Sequence, residues 1–454
     1  MDATTKQIVD WMDKLSYDAL PDAVVHEVTR RILDSIGVAM AGWSSDPCRI
    51  AREQAMAVSQ STGATVWGTS HRTTPDLAAF ANGTQVRYLD YNDTYLSLEP
   101  AHPSDNIPAC FAVAEAAGCD GKALITAIVA AYEIQCRLCD AGSIRARGWD
   151  HVVYGGISTA AAAGWLWGLR GEQLGHAIAL GTIANVAMRQ TRVGQLSHWK
   201  GCAFANAARN GVFGADLARR GMTGPNDIFE GQMGLFQQVS GPLSLKLARD
   251  NDYMINWTYI KYWPAEYHSQ SAIDAALQLR SQIGSLDSIE RIDIASFDAA
   301  VDIIGSEPEK WRPTSRETAD HSMPYCVAVA LQDGDVTLAS FTDEKLHDEH
   351  LVALVQKVQI ERDAALTAGY PDGIPNRVTV TCSDGRSFVS EVRYPRGHAG
   401  NPMTDDEVQE KFRQCVVNRF TPEVATAVVA DVLRLESIRD PGAILQHFIP
   451  TDEG

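Results

Sequence analysis

The chain has 454 residues, 45 % of them apolar and 21 % charged, with 35 glycines and 19 prolines. This composition excludes collagen, disordered tails and small disulfide-stapled scaffolds, and the length predicts two or three domains. The 39 basic and 57 acidic residues give a net charge of −18, which predicts no general surface for nucleic acid or for an anionic membrane.

The first two-thirds of the chain is predicted to be helical. In residues 22–42 apolar side chains recur at helical spacing, and Pro21 stands where it suits helix initiation. Many of the later segments are crowded with Ala and Gly, which lets helix axes approach closely. The further predicted helices are residues 75–87, 107–117, 121–138, 158–169, 171–187 and 202–220.

The pattern changes after residue 285. Alternating apolar and polar residues predict strands there, and Asp384-Gly385 predicts the turn of a hairpin between the last two. The predicted strands are residues 288–294, 357–362, 376–383 and 388–394. The predicted helices between the strands are residues 322–331 and 347–354, and a helical pattern returns over residues 404–445.

This order predicts an α+β fold in which a smaller α/β domain is inserted into a large, discontinuous all-helical domain. The predicted boundaries are residues 1–267 and 398–454 for the helical domain and residues 268–397 for the α/β domain.

The N-terminus and the cysteines predict a cytoplasmic protein. No basic segment followed by an apolar one opens the chain, and nine cysteines favour reduced thiols. Cys136 and Cys139 have metal-like spacing, but they fall in a predicted helix, which favours small core thiols. No dinucleotide, P-loop or H-E-x-x-H motif occurs, so neither a cofactor nor a metal is predicted.

Five short segments hold most of the unusual polar residues. The candidates in the first are Asp90, Thr94 and His102, whereas residues 104–106 are expected to cap helices and close turns. His151 follows in a second segment, where a surface-loop histidine is the alternative.

The third segment contains Lys200, the only lysine between Lys122 and Lys246. It begins a small-residue helix whose backbone N–H groups favour anions, and a surface lysine is the alternative.

The last two segments surround prolines. Lys261 and His268 flank the first proline. His321 and Tyr325 are four residues apart and would share a helix face if the run is helical, a point that Pro324 leaves open.

These residue types suit proton abstraction from a polycarboxylate. Cations bind the carboxylates, a base removes the proton alpha to one of them, and a general acid protonates a departing hydroxide. A serine hydrolase is not predicted, because no G-x-S-x-G motif occurs.

Long motifs in these segments resemble the MmgE/PrpD family, which includes 2-methylcitrate dehydratase and cis-aconitate decarboxylase. The motifs that carry the resemblance are LDYNDT, HPSDN, GWDHVVYG, LSHWKGCAFANAARNGVFGADLARRGMTGP, FEGQMGLF, PAEYHSQSAIDAA and DHSMPYCVAVALQDG. The resemblance covers nearly the whole chain.

The resemblance implies a large helical domain with a smaller α/β lid, an active site between the two, a homodimer, and catalysis without metal or organic cofactor. By resemblance Asp90, Thr94, His102, His151, Lys200, Lys261, His321 and Tyr325 match family site positions, and His268 is added from its setting. His102 or His151 is then the base and Tyr325 or His321 the acid. Lys200 and Lys261, with Asp90, Thr94 and His268, bind the substrate.

Within the family, the motifs resemble the dehydratase branch more closely. The decarboxylase branch tends to carry a second acidic residue in place of Asn92 and a Trp-His pair in place of Tyr95-Leu96. The leading hypothesis is therefore dehydration of 2-methylcitrate or a related hydroxy-tricarboxylate. Decarboxylation of cis-aconitate, epimerisation of a dicarboxylate and a non-catalytic carboxylate-binding role are the alternatives.

Overall fold

The computed structural model describes residues 1–194, 196–248 and 252–449. The chain divides into two compact units. The first unit takes in Met1–Gly194, most of His198–Thr258, and the stretch from Thr404 onward. The second unit consists of Tyr259–Met403 with a short stretch that precedes His198.

The first unit is almost entirely helical. Its helices, numbered along the whole chain, are α1 (Ala3–Met12), α2 (Asp22–Gly42), α3 (Asp46–Met56), α4 (Pro75–Tyr88), α5 (Ile107–Ala117), α6 (Gly121–Ala141), α7 (Val152–Leu166), α8 (Gly171–Ile183), α9 (Trp199–Arg219), α17 (Asp405–Val416), α18 (Pro422–Val432) and α19 (Gly442–Gln446). Two short antiparallel strands, β1 (Ala64–Thr65) and β2 (Arg72–Thr73), lie between α3 and α4.

Helix α9 is central to this unit, because it packs against α4, α7 and α8. The contacts are close where glycines face each other: a Cβ atom on Gly214 would lie 2.7 Å from the backbone nitrogen of Gly181. The expectation that small residues let helices approach closely is thus confirmed. This packing holds α4, and α5 packs in turn against α4 and α7, so both ends of the α4–α5 connection, which carries several candidate residues, are held by helices.

The second unit combines a four-stranded sheet with short helices. Its strands are β3 (Ile289–Ser296), β4 (Val358–Arg362), β5 (Asn376–Cys382) and β6 (Ser387–Val392), in the spatial order β4-β3-β5-β6. The pair β3–β4 is parallel, and the other two pairs are antiparallel. Its helices are α10 (Gln270–Ile283), α11 (Asp298–Ile304), α12 (Arg316–Ala319), α13 (Met323–Asp333), α14 (Asp343–Leu346), α15 (Glu349–Val355) and α16 (Ala364–Thr367).

Alternation along β5 explains how this sheet is covered. Residues 376, 378, 380 and 382 are buried and the residues between them are partly exposed, as expected for a strand with one covered face. Helix α10 packs against β5 and β6. The predicted hairpin at Asp384-Gly385 is confirmed, and Gly385 supplies the positive φ of 85° that the turn requires.

The α+β class is confirmed, and helices α2 and α5 have the predicted bounds. Several other helix ends differ by up to three residues, for example the end of α6 at Ala141 and the start of α9 at Trp199, and two ends of the first unit's helices differ by more. Helix α7 begins at Val152, six residues before the predicted start, and α8 ends at Ile183 rather than at residue 187. Residues after α8 pair instead with the backbone of residues 148–150, a contact that periodicity along the chain does not reveal.

No helix within the described ranges is long and apolar enough to cross a membrane.

Candidate active site

The connection between α4 and α5 is built around buried carboxylates. It leaves α4 through Asp90, whose φ of 51° lies in the left-handed region that Asp tolerates better than most residues. Asp93 then accepts a hydrogen bond from the backbone N–H of Ser104 at 2.9 Å and another from the hydroxyl of Tyr132 at 2.7 Å. These bonds fold the connection back on itself before a 3₁₀ turn, Pro103–Asn106, leads into α5.

Asp90 joins two buried cations. Its Oδ1 accepts a hydrogen bond from Arg87 Nη1 at 2.5 Å, and its Oδ2 accepts one from Lys200 Nζ at 3.0 Å. Lys200 lies in the first turn of α9 and is only 3 % exposed, so it is not a surface lysine. The structure therefore brings Asp90 and Lys200 together, 110 residues apart in the chain.

His102 is held in one tautomer by its two ring contacts. Its Nδ1 lies 2.9 Å from the backbone carbonyl oxygen of Asp93, which can only accept, so Nδ1 carries a proton. Its Nε2 lies 2.9 Å from Nη2 of Arg87, which can only donate, so Nε2 presents its lone pair to the guanidinium. In this arrangement the ring is neutral and both nitrogens are engaged.

His151 is buried beside His102, with 5.9 Å between the ring centroids, but its setting differs. Its Nδ1 lies 3.1 Å from Oδ1 of the buried Asp150, and its Nε2 is buried without a hydrogen-bond partner among the described residues. Burial lowers the pKa of His151 to about 3, helped by Arg192 and Arg87 and opposed by Asp150. The ring is therefore neutral near pH 7 and has an unengaged nitrogen.

Asp105 is a second buried carboxyl near Arg87. Its Oδ1 accepts a hydrogen bond from Asn92 Nδ2 at 2.8 Å, and its Oδ2 lies 3.7 Å from Arg87 Nε. Burial raises the pKa of Asp105 to about 7, although the positive charge of Arg87 acts to lower it. This carboxyl can therefore change its charge near neutral pH.

The remaining polar residues of the connection stabilise its shape. Thr94 is buried, and its hydroxyl donates to the carbonyl oxygen of Ala101 at 3.1 Å. The expectation that residues 104–106 cap helices and close turns holds for Asn106 only in its second part. The Asn106 side chain makes no capping bond to α5, but its Nδ2 donates to the carbonyl oxygen of Pro103 at 2.9 Å and closes the 3₁₀ turn. Its Oδ1 instead accepts from the hydroxyls of Ser158 and Thr159 on α7, because the fold buries it against that helix.

A second cluster lies in the second unit and contains Lys261, His268 and Glu266. His268 Nδ1 lies 2.7 Å from Oε1 of Glu266, while His268 Nε2 is buried with no hydrogen-bond partner in the described part of the chain. Burial would raise the pKa of Glu266, but His268, His321 and Lys261 together lower it to about 2. Lys261 is fully buried in this cluster.

His321 and Tyr325 belong to the same unit but differ in their contacts. His321 Nδ1 lies 2.5 Å from Oδ1 of Asp320. Ser322 caps α13, so His321 precedes the helix and the condition for a shared helix face is not met. The Tyr325 hydroxyl donates to the carbonyl oxygen of Ser340 at 2.7 Å, and burial raises the pKa of Tyr325.

The sequence patterns did not identify the charged partners of the candidate residues. Arg87, Asp150 and Arg192 contact candidates in the first unit, and Glu266 and Asp320 do so in the second. Asp150, Glu266 and Asp320 lie within two residues of a candidate histidine, which was a usable signal. Arg87 and Arg192 carried no such signal, because tertiary packing brings them to their partners.

No group of three or more His, Cys, Asp or Glu side chains suited to a metal ion occurs in the described ranges. Cys136 and Cys139 are both buried in α6, and burial raises the pKa of each thiol well above its usual value.

Comparison with known proteins places the chain in a family. The MmgE/PrpD N-terminal domain matches residues 6–248, and the MmgE/PrpD C-terminal domain matches residues 263–435. The chain belongs to the MmgE/PrpD family. The resemblance stated from the sequence motifs is thereby confirmed.

Similar proteins cover almost the whole chain. The 2-methylcitrate dehydratase of Cupriavidus necator is 30 % identical, over 95 % of this chain and 94 % of that protein. The 2-methylcitrate dehydratase of Escherichia coli K12 is 29 % identical, over 91 % of each. The cis-aconitate decarboxylase of Mus musculus is 26 % identical, over 96 % of this chain and 92 % of that protein. These full-length similarities confirm the prediction of an enzyme of the hydro-lyase type.

Proposed function

We propose that this MmgE/PrpD protein dehydrates 2-methylcitrate or a related hydroxy-tricarboxylate, without a cofactor, by removing a proton alpha to a carboxylate and expelling water. The observation that carries the proposal is His151, a neutral, buried imidazole whose Nδ1 faces Asp150 and whose Nε2 has no hydrogen-bond partner among the described residues. A general base requires this combination of an oriented ring and an available lone pair.

His151 is the better candidate base of the two histidines in the first unit. The Nε2 lone pair of His102 already accepts from Arg87, so His102 would have to give up that contact before it could take a proton. A bound polyanion would also favour the imidazolium form of His151, which raises the pKa of His151 from its low value as the substrate arrives.

Lys200 is the candidate for binding the carboxylate next to the proton that leaves. It is a buried ammonium in the first turn of the 21-residue helix α9, where the helix dipole also favours an anion. A cation in this position stabilises the negative charge that develops on the carboxylate as the proton is removed. Asp90 holds Lys200 before substrate arrives.

The other assignments stay predictions. Lys261 and His268 are proposed to bind substrate carboxylates, and His321, oriented by Asp320, is proposed to protonate the departing hydroxide. Tyr325 is the weaker candidate acid, because its hydroxyl already donates to a backbone carbonyl. A homodimer and a cytoplasmic location likewise stay predictions.

An end-point assay on purified protein tests the proposed reaction. The protein is offered 2-methylcitrate stereoisomers, citrate and cis-aconitate, and products are identified by mass and by release of carbon dioxide. We expect one methylcitrate stereoisomer to lose 18 mass units, the mass of the water that the proposed elimination removes, without carbon dioxide release. Absence of turnover of every hydroxy-tricarboxylate would contradict the proposal.

Decarboxylation of cis-aconitate is the second candidate, since a cis-aconitate decarboxylase also matches the chain over nearly its full length. The same assay separates the two reactions, because carbon dioxide from cis-aconitate would replace dehydration as the proposed activity.

A further inference from the structure

We propose that Arg192 is a substrate-binding residue, which presents a guanidinium N–H to a second carboxylate of the substrate beside Lys200 and His151. The inference deepens the proposed function, on which it rests, and assigns recognition of a tricarboxylate over a dicarboxylate to this arginine.

Backbone pairing brings the segment that carries Arg192 to the segment that carries His151. Residues Trp149 and Met188 form an isolated antiparallel bridge. On either side of it the N–H of Asp150 donates to the carbonyl of Ala187 at 2.8 Å, and the N–H of Arg189 donates to the carbonyl of Gly148 at 2.9 Å. A 3₁₀ turn, Arg189–Arg192, follows at once and places Arg192 at Asp150.

The buried carboxylate of Asp150 holds both side chains. Its Oδ2 accepts from Arg192 Nε at 3.1 Å, and its Oδ1 lies 3.1 Å from Nδ1 of His151. Burial would raise the pKa of Asp150, but Arg192 and His151 lower it below its usual value. The carboxylate is therefore ionised and keeps the guanidinium and the imidazole within one small volume.

Arg192 and His151 each keep one buried side-chain nitrogen that makes no hydrogen bond within the described residues. Among the described residues, Arg192 Nη2 and His151 Nε2 are both buried and have no hydrogen-bond partner. Arg192 Nη2 is a donor, and an unsatisfied N–H of a charged group is unfavourable in a buried site, so the guanidinium is suited to an incoming acceptor. A carboxylate matches this donor best, because its oxygens accept a charge-assisted hydrogen bond from the Nη2–H of the guanidinium.

Arg192 also lies against the residue proposed to bind the first carboxylate. Its Nη1 donates to the backbone carbonyl of Lys200 at 3.4 Å. A substrate held by Lys200 therefore has a second cation within reach. The two cations have separate carboxylate partners, since Asp90 contacts Lys200 and Asp150 contacts Arg192.

Binding of unreactive acids tests the inference without requiring turnover. Propane-1,2,3-tricarboxylate and glutarate differ by one carboxylate, and their dissociation constants are measured by calorimetry on the full-length wild type, R192Q and R192K. We expect R192Q to weaken tricarboxylate binding roughly 10- to 100-fold and glutarate binding much less, as for loss of one charge-assisted hydrogen bond. R192K should show an intermediate loss, since lysine cannot span Asp150 and a carboxylate in the same fork.

R220Q is the matched control, because it removes one arginine charge at an exposed position paired only with Asp216 among the contacts of the described residues. It should leave both constants unchanged. If R192Q does not fold, the tricarboxylate dissociation constant of R192K tests the inference by itself, because this variant retains the positive charge next to Asp150.

Three outcomes decide between the claims. Equal affinity of the wild type for the two acids, or wild-type affinity for the tricarboxylate in both Arg192 variants, would overturn the inference. A wild type that prefers the tricarboxylate through Arg192 but turns over no hydroxy-tricarboxylate would support the inference and remove the proposed function.

Discussion

At the scale of single residues, the two histidines of the first unit differ in what holds their nitrogens. A base needs an available lone pair, and that of His102 accepts from Arg87 while that of His151 meets no hydrogen-bond partner in the described ranges. The sequence alone does not rank the two histidines as bases, because the ranking depends on their contacts with Arg87 and Asp150. Neither contact follows from the spacing of residues along the chain.

Acidification should destabilise the protein partly through His151. The unfolded histidine has an ordinary pKa of 6.5, whereas burial lowers the folded pKa to about 3. Between these pH values His151 binds a proton in the unfolded state but not in the folded state, so the free energy of unfolding falls as the pH falls. Urea unfolding at several pH values should show this dependence weakened in H151N.

The exposed His350 supplies the control for that experiment, and H350N should retain the wild-type dependence. An H151N curve parallel to that of the wild type between pH 6.5 and pH 3 would contradict the assigned pKa shift.

Asp105 should give the opposite dependence. Burial raises its pKa from 3.8 to about 7, so its stabilising contribution is complete below 3.8 and is lost as the pH rises through 7. The stability of the wild type relative to D105N should therefore decrease across this range. Urea unfolding of the wild type and D105N at several pH values measures this difference, and the Asp287→Asn variant at an exposed position is the control. A difference in the free energy of unfolding that does not depend on pH would show that Asp105 ionises normally.

At the scale of elements, helix α17 supports the connection that carries Asp90. Lys411 on α17 lies 2.6 Å from Oδ1 of the buried Asp34 on α2 and donates to the carbonyl oxygen of Tyr91 at 2.8 Å. The segment from Thr404, which returns to the first unit after the second unit is complete, thus stabilises the backbone next to Asp90.

Removal of Lys411 should be strongly destabilising. K411M leaves the Asp34 carboxylate buried without its cation, and loss of one partner of a buried ion pair typically costs about 3–5 kcal/mol. The double variant K411M/D34N should recover a large part of this loss, because it removes the uncompensated charge. The coupling between Lys411 and Asp34 is measured from the free energies of unfolding of the wild type, both single variants and the double variant.

A double variant no more stable than K411M would show that the ion pair does not account for the loss.

Sequence periodicity predicted elements well where local pattern decides their bounds. Helices α2 and α5 and the β5–β6 hairpin depend on apolar spacing, Pro and Gly within the segment itself. Helix α8 was predicted too long because residues beyond Ile183 pair with residues 148–150, which are distant in the sequence. That same pairing places Arg192 at Asp150, so the element error and the missed residue have one cause.

At the scale of the whole molecule, the charge distribution contrasts with the net charge. The chain carries −18 overall, yet Arg87 and Lys200 both contact Asp90, and Arg192 approaches Lys200 and Asp150. A few cations held in place by buried carboxylates can bind a polyanion against an unfavourable overall charge, because nearby charges in a buried site outweigh distant, screened ones.

We expect turnover to need no metal. His151, Lys200 and Arg192 would supply proton removal and carboxylate binding from the chain itself. Prolonged treatment with a chelator, followed by desalting, should leave the rate of 2-methylcitrate dehydration unchanged. Loss of activity that returns on addition of Fe²⁺ or Zn²⁺ would contradict this prediction.

Proton removal by His151 is the step on which the proposed mechanism depends. Steady-state kinetics of H151N and the wild type on 2-methylcitrate test it most directly, with propane-1,2,3-tricarboxylate binding as the check that the site is intact. We expect kcat of H151N to fall roughly 10²- to 10⁴-fold while the tricarboxylate still binds. A folded H151N variant with near wild-type kcat would contradict it.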